Sequence, residues 1–147
     1  MKPMRVGWIG CGKLGQPMAA HLIAAGHSVT AFDIDPAALA TLAAKGARPA
    51  PSIGALCQQS EVVFSSLPDD RVLIEVGCSS GGVLAHLPDQ AVFVDTSTVS
   101  PSASAQVAAR AAALERRYLR VAVSGNPVLA EADRKSTRLN SSHANIS

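Results

Sequence analysis

The segment from Met4 to Asp33 constrains the fold more than anything else in the chain. It reads as an apolar strand (Met4–Ile9), a turn Gly10-Cys11-Gly12-Lys13-Leu14-Gly15, an Ala-rich helical stretch (Leu14–Ala25) and a second apolar strand (Ser28–Asp33) ending on an acid. A G-x-G-x-x-G turn alone is common. Between a strand and a helix, with an acid at Asp33, it is the signature of a βαβ unit that binds a dinucleotide. Gly10 permits the tight turn, Gly12 leaves bare backbone for a pyrophosphate, and Gly15 lets the helix pack close to the sheet. The helix N-terminus offers free N–H groups and a positive dipole end to the phosphates. Asp33 is placed to accept hydrogen bonds from the adenosine ribose, and its charge opposes a 2′-phosphate. A glycine-rich loop in an unrelated α/β chain accounts for the turn alone and leaves the rest of the unit unexplained.

The alternation continues through residue 132. Pro36 starts a second helix to about Lys45, closed by Gly46, and a brief third strand is expected near residues 47–49. Ser52 caps a small helix to about Gln59, followed by a fourth strand over Glu61–Leu67. Pro68-Asp69-Asp70 opens another helix, its acids suited to the N-terminal dipole. Residues 77–82 read as a loop, Val83–Leu87 as a helical turn and Ala91–Asp95 as a fifth strand. A helix from Ser100-Pro101 to about Arg117 and a sixth strand, Tyr118–Val123, complete the pattern. Continuous apolar strands joined by crossover helices predict an α/β fold, a Rossmann-like doubly wound parallel sheet covered on both faces.

The 147 residues suit one domain with a sizeable core, and no apolar run is long enough to span a bilayer. Nothing before the first strand reads as an export signal, and three scattered cysteines argue for reduced thiols; a cytoplasmic location is expected. No Cys/His cluster has metal-ligand spacing, so no metal is expected. The formal charge of +2 comes from residues 133–147; without them basic and acidic residues balance, and nothing electrostatic points to nucleic acid. The run Asp133–Ser147 resembles a translated sequencing-library adapter. On that reading it is a disordered, non-native tail, and the gene is expected to continue past Ala132.

In a doubly wound sheet, ligands sit beyond the carboxyl ends of the strands. Three strand ends carry residues suited to that place: Leu67-Pro68, Asp95-Thr96-Ser97-Thr98 and Ser124-Gly125-Asn126. Each also has a plain explanation. Pro68 can start a helix, Ser97 or Thr98 can cap the one at Pro101, and Ser124-Gly125 can be a turn. Their convergence with the glycine loop at one edge favours a cofactor and substrate cleft.

Together these motifs resemble the β-hydroxyacid dehydrogenases, the family of 3-hydroxyisobutyrate dehydrogenase and tartronate semialdehyde reductase, with 6-phosphogluconate dehydrogenase a relative. The resemblance rests on Gly7-Trp-Ile-Gly-Cys-Gly-Lys-Leu-Gly-Gln-Pro-Met-Ala19, Ala25-Gly26-His27, Phe32-Asp33-Ile34-Asp35-Pro36, Leu67-Pro68, Asp95–Thr98 and Val123-Ser124-Gly125. It implies that residues 1–132 form the nicotinamide-dinucleotide-binding domain, with Gly10, Cys11, Gly12, Lys13, Leu14 and Gly15 around the pyrophosphate. It further implies Leu67 and Pro68 beside the nicotinamide ribose, Thr98 near the nicotinamide, and Ser97, Ser124, Gly125 and Asn126 toward a small hydroxyacid. Members that use NADP tend to carry Asn-Arg where this chain has Asp33-Ile34. NAD is therefore favoured, with NADP left open.

The chain departs from the family pattern at Leu14 (usually Met), Val72 (an Asn in some members) and Asn126 (usually Gly). The family's general acid/base is a Lys on a later helix, and a helical C-terminal domain closes the cleft and makes the oligomer. Lys2, Lys13 and Lys45 do not match that Lys, so this chain is expected to be a cofactor-binding fragment that binds cofactor weakly at best and turns nothing over. Two alternatives stand beside this reading: a fragment of an imine reductase, and a non-catalytic NAD-binding sensor.

Overall fold

A computed structural model describes residues 2–11, 13–121 and 145–146. The elements follow in the order β1 (Arg5–Ile9), α1 (Gly15–Ala24), β2 (Ser28–Phe32), α2 (Pro36–Ala44), β3 (Arg48–Pro49), α3 (Ile53–Gln58) and β4 (Val62–Ser65). After these come α4 (Asp70–Cys78), α5 (Val83–His86), β5 (Val92–Asp95), α6 (Pro101–Ala113), β6 (Arg117–Arg120) and the dipeptide β7 (Asn145–Ile146). The sheet order is β3-β2-β1-β4-β5-β6-β7. β1 to β6 are parallel, and β7 adds an antiparallel edge to β6 that the sequence pattern does not predict. Residues 122–132, and the remainder of the segment read as a tail, lie outside the described residues.

Strand alternation sorts side chains onto two faces. Val6, Trp8, Val29, Ala31 and Val94 meet Ala19 of α1 and Leu42 of α2. Ile9, Val63, Phe93 and Tyr118 meet Leu56 of α3, Leu73 of α4, Val83 and Leu84 of α5, and Val107 and Ala111 of α6. Phe64, Val92 and Leu119, on the α1–α2 side but nearer the β6 edge, are only partly buried.

Local chemistry sets the helix starts. Asp35, Ser52, Asp69 and Ser100 each accept a backbone N–H from the first turn of α2, α3, α4 and α6, at 3.0 to 3.1 Å. Asp69 is thus the cap of α4, which excludes Pro68 as its first residue; Ser100, and neither Ser97 nor Thr98, caps α6. α1 begins at Gly15, and Leu14 before it provides no side-chain cap, leaving the first N–H groups to the loop side.

Several boundaries differ from the sequence expectation. α4 runs on through Gly77 and Cys78, where a loop was expected, because Gly77 is buried against Phe93 and Val107. α6 stops at Ala113 instead of Arg117, and β6 starts one residue early. Glu115 takes a left-handed φ of 55°, and Arg116 N–H closes back on Ala111 O at 2.8 Å. A glycine normally marks such a stop and none is present. Arg116 also pairs with Asp89 at 2.7 Å, which holds the turn.

Leu73 is fully buried and Ile34 is 90% exposed. Leu73→Ala should lower unfolding free energy by about 2–5 kcal/mol, whereas Ile34→Ala should stay within about 0.5 kcal/mol, both read by urea denaturation.

Candidate functional site

β1 has β2 on one side and β4 on the other, and the chain winds outward through β2 and β3 on one side and through β4, β5 and β6 on the other. A crevice must open where the two directions part, beyond the carboxyl ends of β1 and β4. A cleft of about 700 Å³ lies there. Its walls are Gly10, Lys13 and Leu14 after β1, Phe32 at the end of β2 with Asp33 and Ile34 after it, Ser66, Leu67 and Pro68 after β4, and Val72, Glu75 and Val76 of α4 with Ser79 just past its end, together with Ile9 and Ile53. A shallower depression of about 570 Å³ continues past Pro68, lined by Asp69, Asp70, Arg71, Thr98, Val99 and Ser100.

The glycine loop is held from three directions. Gly10 has φ +96° and donates its N–H to Phe32 O at 3.0 Å, and its carbonyl accepts the Trp8 indole N–H at 3.0 Å. A Cβ on Gly10 would collide with the Ser66 carbonyl, and one on Gly15 with the Gly10 carbonyl. Any side chain at either place would push the loop off the sheet. Gly12 lies outside the described residues.

Asp33 joins the loop to β2. Its Oδ2 accepts the Cys11 N–H at 2.6 Å and its Oδ1 accepts the Asp35 N–H at 2.8 Å. Each oxygen keeps a lone pair for another donor, so ribose hydroxyls can share the carboxylate. Cys11 turns its side chain inward, 1% exposed. Burial first, and the Asp33 charge second, push its thiol up to about 12. The phosphate loop therefore carries no thiolate to repel an anion.

On the other side of the cleft the expected pair Ser97 and Thr98 separates. Successive residues of an extended segment point opposite ways. Thr98 is exposed in the shallow depression, whereas Ser97 is 5% exposed. The Ser97 hydroxyl donates to Asp95 Oδ1 at 2.6 Å and accepts the Leu67 N–H at 2.7 Å. Ser97 therefore ties the loop after β4 to Asp95 from within the fold. Ser65 Oγ also donates to Asp95 Oδ1 at 2.6 Å. Asp95 is fully buried and its Oδ2 has no partner among the described residues. Burial pushes its carboxyl up, against the hydrogen bonds from Ser65 and Ser97 and the charge of Arg120.

Gly10, Lys13 and Leu14 of the glycine loop thus share one cleft with Asp33, Leu67 and Pro68, with Thr98 beside it; Gly12, Ser124, Gly125 and Asn126 lie outside the described residues. The sequence did not single out Ile34, Val76, Glu75 or Ser79 as lining residues, nor Trp8 and Asp95 as supports. Asp95 had a usable signal, a lone acid ending an apolar strand. The apolar walls suit flat rings, the uncapped α1 and Gly10 leave room for phosphates, and Asp33 suits a ribose: the residues present fit a nicotinamide dinucleotide. Among the described residues no His, Cys, Asp or Glu cluster could hold a metal ion, and no helix is long and apolar enough to cross a membrane.

Comparisons with known proteins agree with this geometry. The model of the NAD binding domain of 6-phosphogluconate dehydrogenase matches residues 5–137. The chain is 37% identical over 120 residues to the 3-hydroxyisobutyrate dehydrogenase of Pseudomonas aeruginosa, covering 82% of this chain and 40% of that protein. It is 35% identical over 143 residues to the 2-(hydroxymethyl)glutarate dehydrogenase of Eubacterium barkeri, covering 97% and 48%. The solved structure of Mycobacterium tuberculosis 3-hydroxyisobutyrate dehydrogenase with L-serine superposes with a TM-score of 0.82 at 31% identity, covering 89% of this chain and 44% of that one. The chain spans less than half the length of each of these proteins.

Two measurements probe the site. An acid whose folded value is raised favours the folded state while protonated, so its contribution is full in acid and lost as pH rises through the raised value. Relative to Asp95→Asn, the unaltered chain should lose stability as pH climbs above the ordinary carboxylate range, read from urea midpoints across pH 3–8. Cys57, like Cys11, is pushed up to about 12 by burial. Both thiols should resist a disulfide reagent at pH 8 until the chain is unfolded.

Proposed function

The chain belongs to the family of the NAD binding domain of 6-phosphogluconate dehydrogenase, and from that premise we propose that it is the cofactor-binding part of an oxidoreductase acting on a small β-hydroxyacid. The observation that carries the reading is the cleft itself, where Gly10, the uncapped start of α1 and the Asp33 carboxylate converge. Similarity to 3-hydroxyisobutyrate dehydrogenases supports the substrate class.

A nicotinamide bound there supplies hydride acceptance or donation. The residues of this chain bind and orient. The loop 10–15 and the N-terminus of α1 receive the pyrophosphate, where backbone N–H groups and the helix dipole favour an anion. Lys13 adds a positive charge on the same wall. Asp33 holds the adenosine ribose while keeping the loop in place through Cys11 N–H. Leu67 and Pro68 face the second ribose, and Thr98 the ring side. Ser124, Gly125 and Asn126 are proposed to grip the substrate carboxylate. Proton transfer and oligomer formation are proposed for the longer whole protein, as is a cytoplasmic location.

NAD is proposed over NADP. A 2′-phosphate would meet the Asp33 carboxylate, and the next residue, Ile34, offers no guanidinium to offset it. Titration calorimetry should find NADH bound about tenfold or more tightly than NADPH, roughly 1.4 kcal/mol. Equal or reversed affinities would sink the NAD assignment, and no binding of either would sink the dinucleotide reading.

A further inference from the structure

Five residues, 96–100, link β5 to α6, and four of them are bound to neighbouring elements. Thr96 donates its N–H and its hydroxyl to Ser65 O, both at 2.8 Å. The Ser97 N–H and hydroxyl donate to Asp95 Oδ1 at 3.2 and 2.6 Å, and the hydroxyl accepts Leu67 N–H. Val99 O accepts Arg120 Nη2–H at 3.0 Å. Ser100 donates its N–H and hydroxyl to the two oxygens of Asp70, at 2.9 and 2.6 Å. Thr98, in the middle, is the one exposed residue of the five.

Arg120 reaches this segment from the next strand. It stands opposite Asp95 in the β5–β6 ladder, and both lie on the α6 side of the sheet. Its Nε is buried without a partner among the described residues, as is the Asp95 Oδ2. A guanidinium is planar and carries several donors, so it can serve a carbonyl with one edge while its charge faces a carboxylate. Asp95 holds the residue before Thr98, and Arg120 holds the residue after it.

We propose that Arg120 is a positioning residue for the nicotinamide side of the cleft, fixing the backbone around Thr98 through its hydrogen bond to the Val99 carbonyl. The proposal rests on the dinucleotide reading above and extends it to a residue outside the cleft wall. Arg120→Met keeps much of the apolar stem and removes the donors and charge. Arg120→Lys keeps the charge and one donor head without the planar fork.

The test is a calorimetric titration of the chain and both variants with NADH and with ADP-ribose, which lacks the nicotinamide, alongside a melting curve for each. Arg120→Met should weaken NADH about tenfold, the scale of losing one charge-assisted hydrogen bond, while ADP-ribose changes less than about twofold. Arg120→Lys should recover part of the loss. Equal weakening of both ligands, or unchanged NADH binding in a folded variant, overturns the positioning role. If Arg120→Met melts below the titration temperature, Arg120→Lys decides by the same comparison. Failure of both ligands to bind the unaltered chain removes the dinucleotide reading, and this proposal with it.

Discussion

The Gly10 backbone lies against the Ser66 carbonyl, and that close approach is the constraint on which the site depends. β1 is the strand at which the sheet reverses its winding, so the chain leaving it must turn between β2 and β4. Phe32 O and the Trp8 indole fix the turn from two sides. Trp8 in turn is stacked on Phe64, with ring centroids 5.2 Å apart. The direction of α1, its uncapped start and the reach of Asp33 to the loop all follow from this one approach. A side chain at residue 10 would undo them together.

The two cores are built differently. The side facing α1 and α2 is apolar, whereas the opposite side carries the buried Asp95 with Ser65 and Ser97 close to the cleft. A buried carboxylate costs the fold several kcal/mol unless its neighbours compensate. Here two hydroxyls and an amide converge on one oxygen, and Arg120 supplies the charge of opposite sign. An apolar residue would pack well but would leave those hydroxyls unpaired. The arrangement ties the loop after β4 to the loop after β5, the two loops that flank the ring side of the proposed cofactor site.

Most of the architecture was legible because its signals are local. Apolar runs, Pro36 and Pro101 at helix starts and the Ser52 cap placed the elements from β1 through α6, and the glycine loop with Asp33 placed the cleft. The misreadings arose where a distant contact decided. The packing of Gly77 on Phe93 and Val107 prolonged α4, and a non-glycine residue at Glu115 ended α6. Nothing within the Asp95–Thr98 motif says which hydroxyl turns inward. Nothing around Arg120 in the sequence marks it, since its partners Val99 and Asp95 lie more than twenty positions earlier.

The sequence by itself determined the alternating α/β pattern, the parallel doubly wound sheet and the dinucleotide-type turn, because strand period, helix caps and glycine spacing act over a few residues. The tertiary structure decided which groups meet at the cleft. It turned Ser97 inward and Thr98 outward, aimed Cys11 into the core, and set Asp95 and Arg120 opposite each other across β5 and β6. Those outcomes depend on strand register and on the burial of polar groups, and both arise only when segments far apart in the chain pack together.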